Sequence, residues 1–234
     1  MAAKESSKRP TKLVIFDVDG TLVDSEAFIV ETQRRTFFAH GLTPPSAAQG
    51  LSLIGLSLPE WVARLAGPDA PVDAMVGTYR RFMGTLRNDP QYREVLYPGI
   101  GALLARLAAR RDIALGLATG HQMASLGELV SIFGWHGLFR TVQTPDTAPS
   151  KPDPGMILNA MRVTGAAPAD TVMIGDSTFD MVMARDAGVS AIGVSWGYNP
   201  PDVLYAAGAE RVVDSAEALR FLLEARFPPA GEGG

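Results

Sequence analysis

The stretch LVIFDVDGTLVDS, residues 13–25, sets two carboxylates at the end of an apolar run. Residues 13–16 have the length and character of a buried strand, and Asp17 and Asp19 follow two apart, with Gly20 and Thr21 behind them. In extended backbone, residues two apart point to the same side. The two acids therefore repel unless a proton or a cation compensates, and a packed core gains nothing from them. Three readings are open at this point: a solvated acidic turn, a cation site, or a place of chemistry. A calcium loop of the EF-hand type fails. Counted from Asp17, it needs Gly at its sixth position and Glu at its twelfth, where this chain has Leu22 and Phe28.

Similar apolar runs recur at 113–118, 171–174 and 191–194, and FRTVQT (139–144) is a weaker strand candidate. Helical spacing lies between them. Ile100, Leu103, Leu104 and Leu107 fall at i, i+3, i+4 and i+7. In KPDPGMILNAM, Asp153 reads as an N-cap and Pro154 as the first helical residue. Ser215 can cap a last helix that carries Leu219, Leu222 and Leu223. Apolar strands alternating with helices predict a mainly parallel sheet covered on both faces. Residues 25–96 break the alternation and show no strand. Leu58, Trp61, Val62 and Leu65 share one helical face, as do Val72, Met75, Val76, Tyr79, Phe82, Met83 and Leu86. The segment reads as a helical cap inserted behind the acidic loop and lying over it as a lid, with LYPGIG (96–101) as the return hinge. Residues 1–24 and 97–234 then form the core, with loose tails at 1–12 and 228–234.

Composition narrows the class. The 234 residues are 47% apolar and 20% charged, with a net charge of −4. No basic face dominates, so nucleic acid is not expected as a partner. No apolar run approaches the roughly 18 residues of a membrane span, and the polar, basic start is not a secretory signal. The absence of cysteine removes disulfides, thiolate nucleophiles and Cys-type zinc sites. It fits a reducing compartment, and the cytoplasm is the expected location.

Other strand ends carry polar residues as well. TVMIGDSTFDM repeats the opening pattern, with Asp176 at the strand end and Asp180 about one helical turn further on. Asp176 or Ser177 could equally be no more than the cap of that helix. Thr119 and Gly120 end the run IALGLA and can offer O–H and N–H donors to an anion, or simply form a turn. His121 follows and reads first as a polar surface residue. Lys151, between prolines in APSKPDP, can pair with carboxylates or a phosphoryl group, or stand as a surface lysine. Ligands of a parallel sheet bind beyond its carboxyl ends. Asp17, Thr119 and Asp176 each follow a different expected strand, so they should converge with Lys151 on one edge. That set suits a dianionic ligand, above all phosphate.

In their order and spacing, DVDGTLVDS, ATG, KPDP and IGDSTFDMVMARDAG resemble the haloacid dehalogenase superfamily. The resemblance runs from Leu13 to about Val213. The helical insert resembles the cap of the phosphoglycolate phosphatase-like and beta-phosphoglucomutase-like branch. It implies an α/β fold, a three-layer Rossmann-like core with an inserted helical cap domain. It also implies that Asp17 is the nucleophile and forms an aspartyl-phosphate, while Asp19 is the proton carrier. Mg²⁺ would be held by Asp17, the backbone carbonyl of Asp19 and Asp176, with Asp180 acting directly or through water. Thr119 and Lys151 would hold the phosphoryl oxygens, beside Gly120. His121 could reach the substrate under the lid. A carboxylate at Asp19 resembles phosphatases and phosphomutases rather than the dehalogenases. The implied protein is a phosphatase for a small phosphorylated metabolite, with phosphoglycolate as one candidate. A sugar-phosphate mutase and a non-catalytic phosphate- or partner-binding protein are the alternatives. The loop LIGLSLPEW (53–61) is the expected place of specificity, and monomer and homodimer are both open.

Overall fold

A computed structural model describes residues 12–228. The opening stretch supplies its central strand, β1 (Lys12–Phe16). It is followed by β4 (Ile113–Ala118), β5 (Thr141–Gln143), β6 (Thr171–Gly175), β7 (Ser190–Val194) and β8 (Arg211–Val213) in one sheet of order β5-β4-β1-β6-β7-β8. Every pairing in it is parallel. The chain builds outward from β1 through β4 to β5, then returns to the other side of β1 for β6. The place where the strand order reverses thus lies at β1, which is where such sheets leave a crevice beyond their carboxyl ends.

The alternation along β1 explains why its apolar run is continuous. Val14 and Phe16 face one layer with α5 (Ile100–Ala108), α6 (Met123–Ile132) and α10 (Ala216–Arg226). Leu13 and Ile15 face the other, with α7 (Gly155–Thr164), α8 (Thr178–Asp186) and α9 (Pro201–Ala207). Both faces are dry, so neither can carry polar residues. The fold is the three-layer α/β arrangement expected.

Between β1 and α5, helices α1 (Glu26–Ala39), α2 (Ala47–Leu51), α3 (Leu58–Ala66) and α4 (Val72–Leu86) pack around a core of their own, centred on Phe37, Trp61, Val62, Met75 and Leu86. Trp61 closes it from within, donating from its indole nitrogen to the carbonyl of Gly50 at 2.9 Å.

Four local readings need correction. Residues 25–96 are not free of strand. β2 (Val23–Asp24) and β3 (Val95–Leu96) pair antiparallel and clip the exit and return of the helical unit together. The sixth strand, β8, was not anticipated, because it is a short, partly exposed edge without an apolar run. Helix α7 starts one residue later than expected. Pro154 is the N-cap, its carbonyl accepting from Leu158, while Asp153 Oδ1 accepts from the N–H of Gly155 at 2.8 Å. Lys12 and Pro228 are not tail. Lys12 begins β1 and pairs with Asp112 at 2.9 Å, and the carbonyl of Pro228 accepts from Lys12 and Arg110. The remaining tail residues, 1–11 and 229–234, lie outside the described residues. Among the described residues no helix is long and apolar enough to cross a membrane.

Phe16 is fully buried at the centre of the larger layer. Phe16→Ala should lower the unfolding free energy by about 3–5 kcal/mol, read as an earlier midpoint in urea at unchanged slope.

Candidate active site

β1 delivers Asp17 to the crevice by carrying its sheet pairing one residue further, with the Asp17 N–H donating to the carbonyl of Ile174 at 2.9 Å. The chain then turns back, the carbonyl of Val18 accepting from the N–H groups of Leu22 and Val23. Gly20 sits in the turn at φ 75° against Asp176, and a side-chain carbon there would fall 2.3 Å from Asp176 Oδ2. A side-chain carbon at Gly197, after β7, would likewise fall 2.3 Å from Asp176 Cβ. Two glycines therefore let backbone close around one carboxylate.

Four of the expected residues meet at this edge, all buried: Asp17, Lys151, Asp176 and Asp180. Lys151 Nζ lies 2.8 Å from Asp17 Oδ1 and 2.6 Å from Asp180 Oδ1. Asp176 accepts from the Thr21 hydroxyl at 3.3 Å and from the N–H of Tyr198 at 2.8 Å. The helix-cap reading also holds, with Ser177 rather than Asp176 as the cap. The Ser177 hydroxyl accepts from the N–H of Asp180, while the Ser177 N–H donates to Asp180 Oδ2. Both Asp180 oxygens are thus engaged, one by Lys151 and one by Ser177.

Asp17, Asp176 and Asp180 can each bring a carboxylate oxygen within 4.8 Å of the other two. Three carboxylates meet one ammonium, an excess of two negative charges. Burial pushes Asp17 up to about 7 against the pull of Lys151, and burial together with the charge of Asp17 raises Asp176 well above its usual range. Without a cation, protons must make up the deficit. Asp17 Oδ2 is buried and has no hydrogen-bond partner. A hard divalent cation with oxygen ligands fits these residues.

Thr119 follows β4, its N–H donating to the carbonyl of Gln143 at 3.1 Å and its hydroxyl oxygen accepting from the N–H of His121 at 3.2 Å. Gly120 lies under the helical unit, and a side-chain carbon there would be 2.3 Å from the carbonyl of Leu56. His121 is not a surface residue. It is mostly shielded against Asp19, with Nε2 2.8 Å from Asp19 Oδ2. The Ser25 hydroxyl donates to the other Asp19 oxygen at 2.6 Å. Burial works against an ionised Asp19, but the charge of His121 and the Ser25 bond outweigh it and hold the group below its usual range. The same contact raises His121 despite its burial. His40 stays apart, bonded to Thr78.

A cavity of about 280 Å³ opens from Asp17 and Asp19 and runs beneath α1, α3 and α4. Its sides hold residues that were not anticipated, Glu94 and Tyr79 among them. Arg87 Nε donates to Glu94 Oε2 at 3.0 Å and also pairs with Glu128 on α6. Arg80 bonds Gln122. Applying the strand-end rule to β7 would have found Gly197 and Tyr198. Glu94 follows no motif.

Comparison with known proteins assigns the family. Residues 14–194 match the haloacid dehalogenase-like hydrolases, and the chain belongs to that family. It is 34% identical to a probable phosphatase, IndB, of Dickeya dadantii, over 87% of this chain and 89% of that protein. It is 32% identical to a phosphoglycolate phosphatase of Agrobacterium fabrum, over 82% of this chain and 84% of that one. A hydrolase from Pseudomonas syringae shares the fold, with a TM-score of 0.80 at 24% identity, over 92% of this chain and 99% of that chain.

Lys151→Met would leave two buried carboxylates facing each other without their cation. We expect a loss of about 3–5 kcal/mol in unfolding free energy, measured in urea at neutral pH with EDTA. Unchanged stability would mean that Lys151 does not offset the burial of these two carboxylates.

Proposed function

We propose that the chain is a Mg²⁺-dependent phosphomonoester hydrolase that works through an aspartyl-phosphate on Asp17. The supporting observation is the Asp17 carboxylate itself: Oδ1 is fixed by Lys151 while Oδ2 is buried without a partner. In the first step Asp17 attacks phosphorus, the bond from phosphorus to the alcohol oxygen breaks, and that oxygen takes a proton from Asp19, which has to enter this step protonated although His121 and Ser25 favour its ionised form. In the second, water attacks phosphorus, the bond to Asp17 breaks, and Asp19 takes the proton from water. A magnesium ion held by Asp17, Asp176 and the backbone carbonyl of Asp19 would supply the positive charge that lets a phosphate dianion meet a carboxylate. Lys151 offsets the charge on Asp17 from the other side, and Asp180 orients Lys151. The hydroxyl of Thr119 and the N–H of Gly120 hold the phosphoryl oxygens. Ser25 and His121 fix the direction of Asp19. Residues 25–96 act as a lid that keeps bulk water out.

The relatives make 2-phosphoglycolate the reference substrate. A mutase must also hold a second phosphate. Among the described residues the cations lining the cavity are His121, set against Asp19, and Arg80, bonded to Gln122. Hydrolysis is therefore the reading the cavity supports.

Phosphate release from a panel of small phosphomonoesters tests this. Asp17→Asn should slow release at least about 1,000-fold while the protein stays folded, and a parent-like rate would remove the nucleophile. EDTA should abolish release and added Mg²⁺ restore it. Full activity in EDTA would sink the metal assignment.

A further inference from the structure

The cavity beyond Asp19 differs from one built for a small anion. Its wall on the helical unit is apolar, made chiefly of Phe28, Leu58, Trp61, Tyr79 and Met83. At about 280 Å³ it is larger than a two-carbon acid requires. The fixed charge around it is mainly negative. Glu94 and Glu128 line it in addition to Asp17 and Asp19, and Arg87 is already shared between those two glutamates. Arg80 stands exposed on α4 and bonds Gln122.

Glu94 is the informative residue. It is only 6% exposed, it lines the cavity, and its Oε2 is held by Arg87 while its Oε1 is buried with no partner. A buried acceptor left unpaired is costly, and a ligand that donates to it relieves that cost. Burial already lifts the Glu94 carboxyl above its usual range against the pull of Arg87, and a second anion beside it would add to the strain.

We propose that the alcohol released from the phosphoester is an uncharged one, with an apolar body that packs against Trp61 and Met83 and a hydroxyl or N–H group that donates to Glu94 Oε1. This rests on the phosphatase reading and specifies its substrate class. Size alone discriminates weakly in such a pocket, whereas a buried polar group that must be paired discriminates strongly.

The test compares kcat/KM for 2-phosphoglycolate, benzyl phosphate, 3-(hydroxymethyl)benzyl phosphate and 3-carboxybenzyl phosphate in Mg²⁺. The hydroxymethyl ester should exceed 2-phosphoglycolate at least about tenfold, and the carboxylated ester should be the poorest of the benzyl series. Glu94→Gln keeps an acceptor and removes the charge. It should raise the ratio of carboxybenzyl to benzyl phosphate by about tenfold. Both rates come from the same preparation, so partial misfolding cancels from the ratio. A preference for 2-phosphoglycolate over the benzyl series, or a ratio that Glu94→Gln leaves unmoved, would overturn the inference and leave the phosphatase reading standing. No Asp17-dependent release from any ester would overturn both.

Discussion

Lys151 carries an ammonium group with no exposed side-chain surface, 2.8 Å from one carboxylate and 2.6 Å from another. Charges removed this far from water are costly unless their partners are fixed in place and their remaining hydrogen bonds satisfied. Three separate parts of the fold meet that demand. β1 fixes Asp17 through its pairing with β6. The first turn of α8 fixes Asp180 through Ser177, and Gly175 leaves the space into which Asp180 folds back, since a side-chain carbon there would lie 2.3 Å from it. The loop between β5 and α7 brings Lys151 itself. A slip of one residue in the register of β1 would turn Asp17 to the other face of the sheet and leave the ammonium with half its partners.

This dependence explains what could be read from the residues alone. The apolar runs of β1, β4, β6 and β7 are buried on both faces, so each announces itself in sequence, and the polar residue behind each is thereby placed at one sheet edge. Asp17, Thr119 and Asp176 were placed at that edge in this way. What stayed hidden has no such signature. β8 lies at the exposed sheet edge and does not need a continuous apolar run. β2 and β3 are two residues each, too short for any period to show. Glu94 sits beside one of them, and its importance comes from Arg87 and from the cavity, both set by how α4 packs. His121 looked like a surface residue because one histidine after a glycine carries no information about what lies above it. The contact with Asp19 appears only once β1 and β4 lie side by side.

The glycines at the crevice mark where backbone, rather than side chain, sets the geometry. Gly20 and Gly197 both let backbone come close to Asp176, and Gly120 passes under the carbonyl of Leu56. The first two fix the direction of a carboxylate. The third seats the loop before α3 directly on the residue that follows Thr119, so the height of the helical unit above the site is set by a contact between backbones. Close seating of this kind lets the apolar wall and the carboxylates share a single cavity.

The two ends of that cavity are built from different material. The carboxylate end belongs to the sheet, whose two layers pack on α5, α6 and α10 and on α7, α8 and α9. The far end belongs to α1, α3 and α4, which have a hydrophobic core of their own. Polar links between the units include Ser57 to Ser150, Arg80 to Gln122 and Arg87 to Glu128. Substitutions far apart and without shared partners act nearly independently. A change at Met83 or Leu58 would therefore reshape the far end of the cavity without moving Lys151. Glu94 is the exception. It stands where the helical unit rejoins the core, and through Arg87 it is tied to Glu128 on α6, so the charge at this wall of the cavity is held by both units at once.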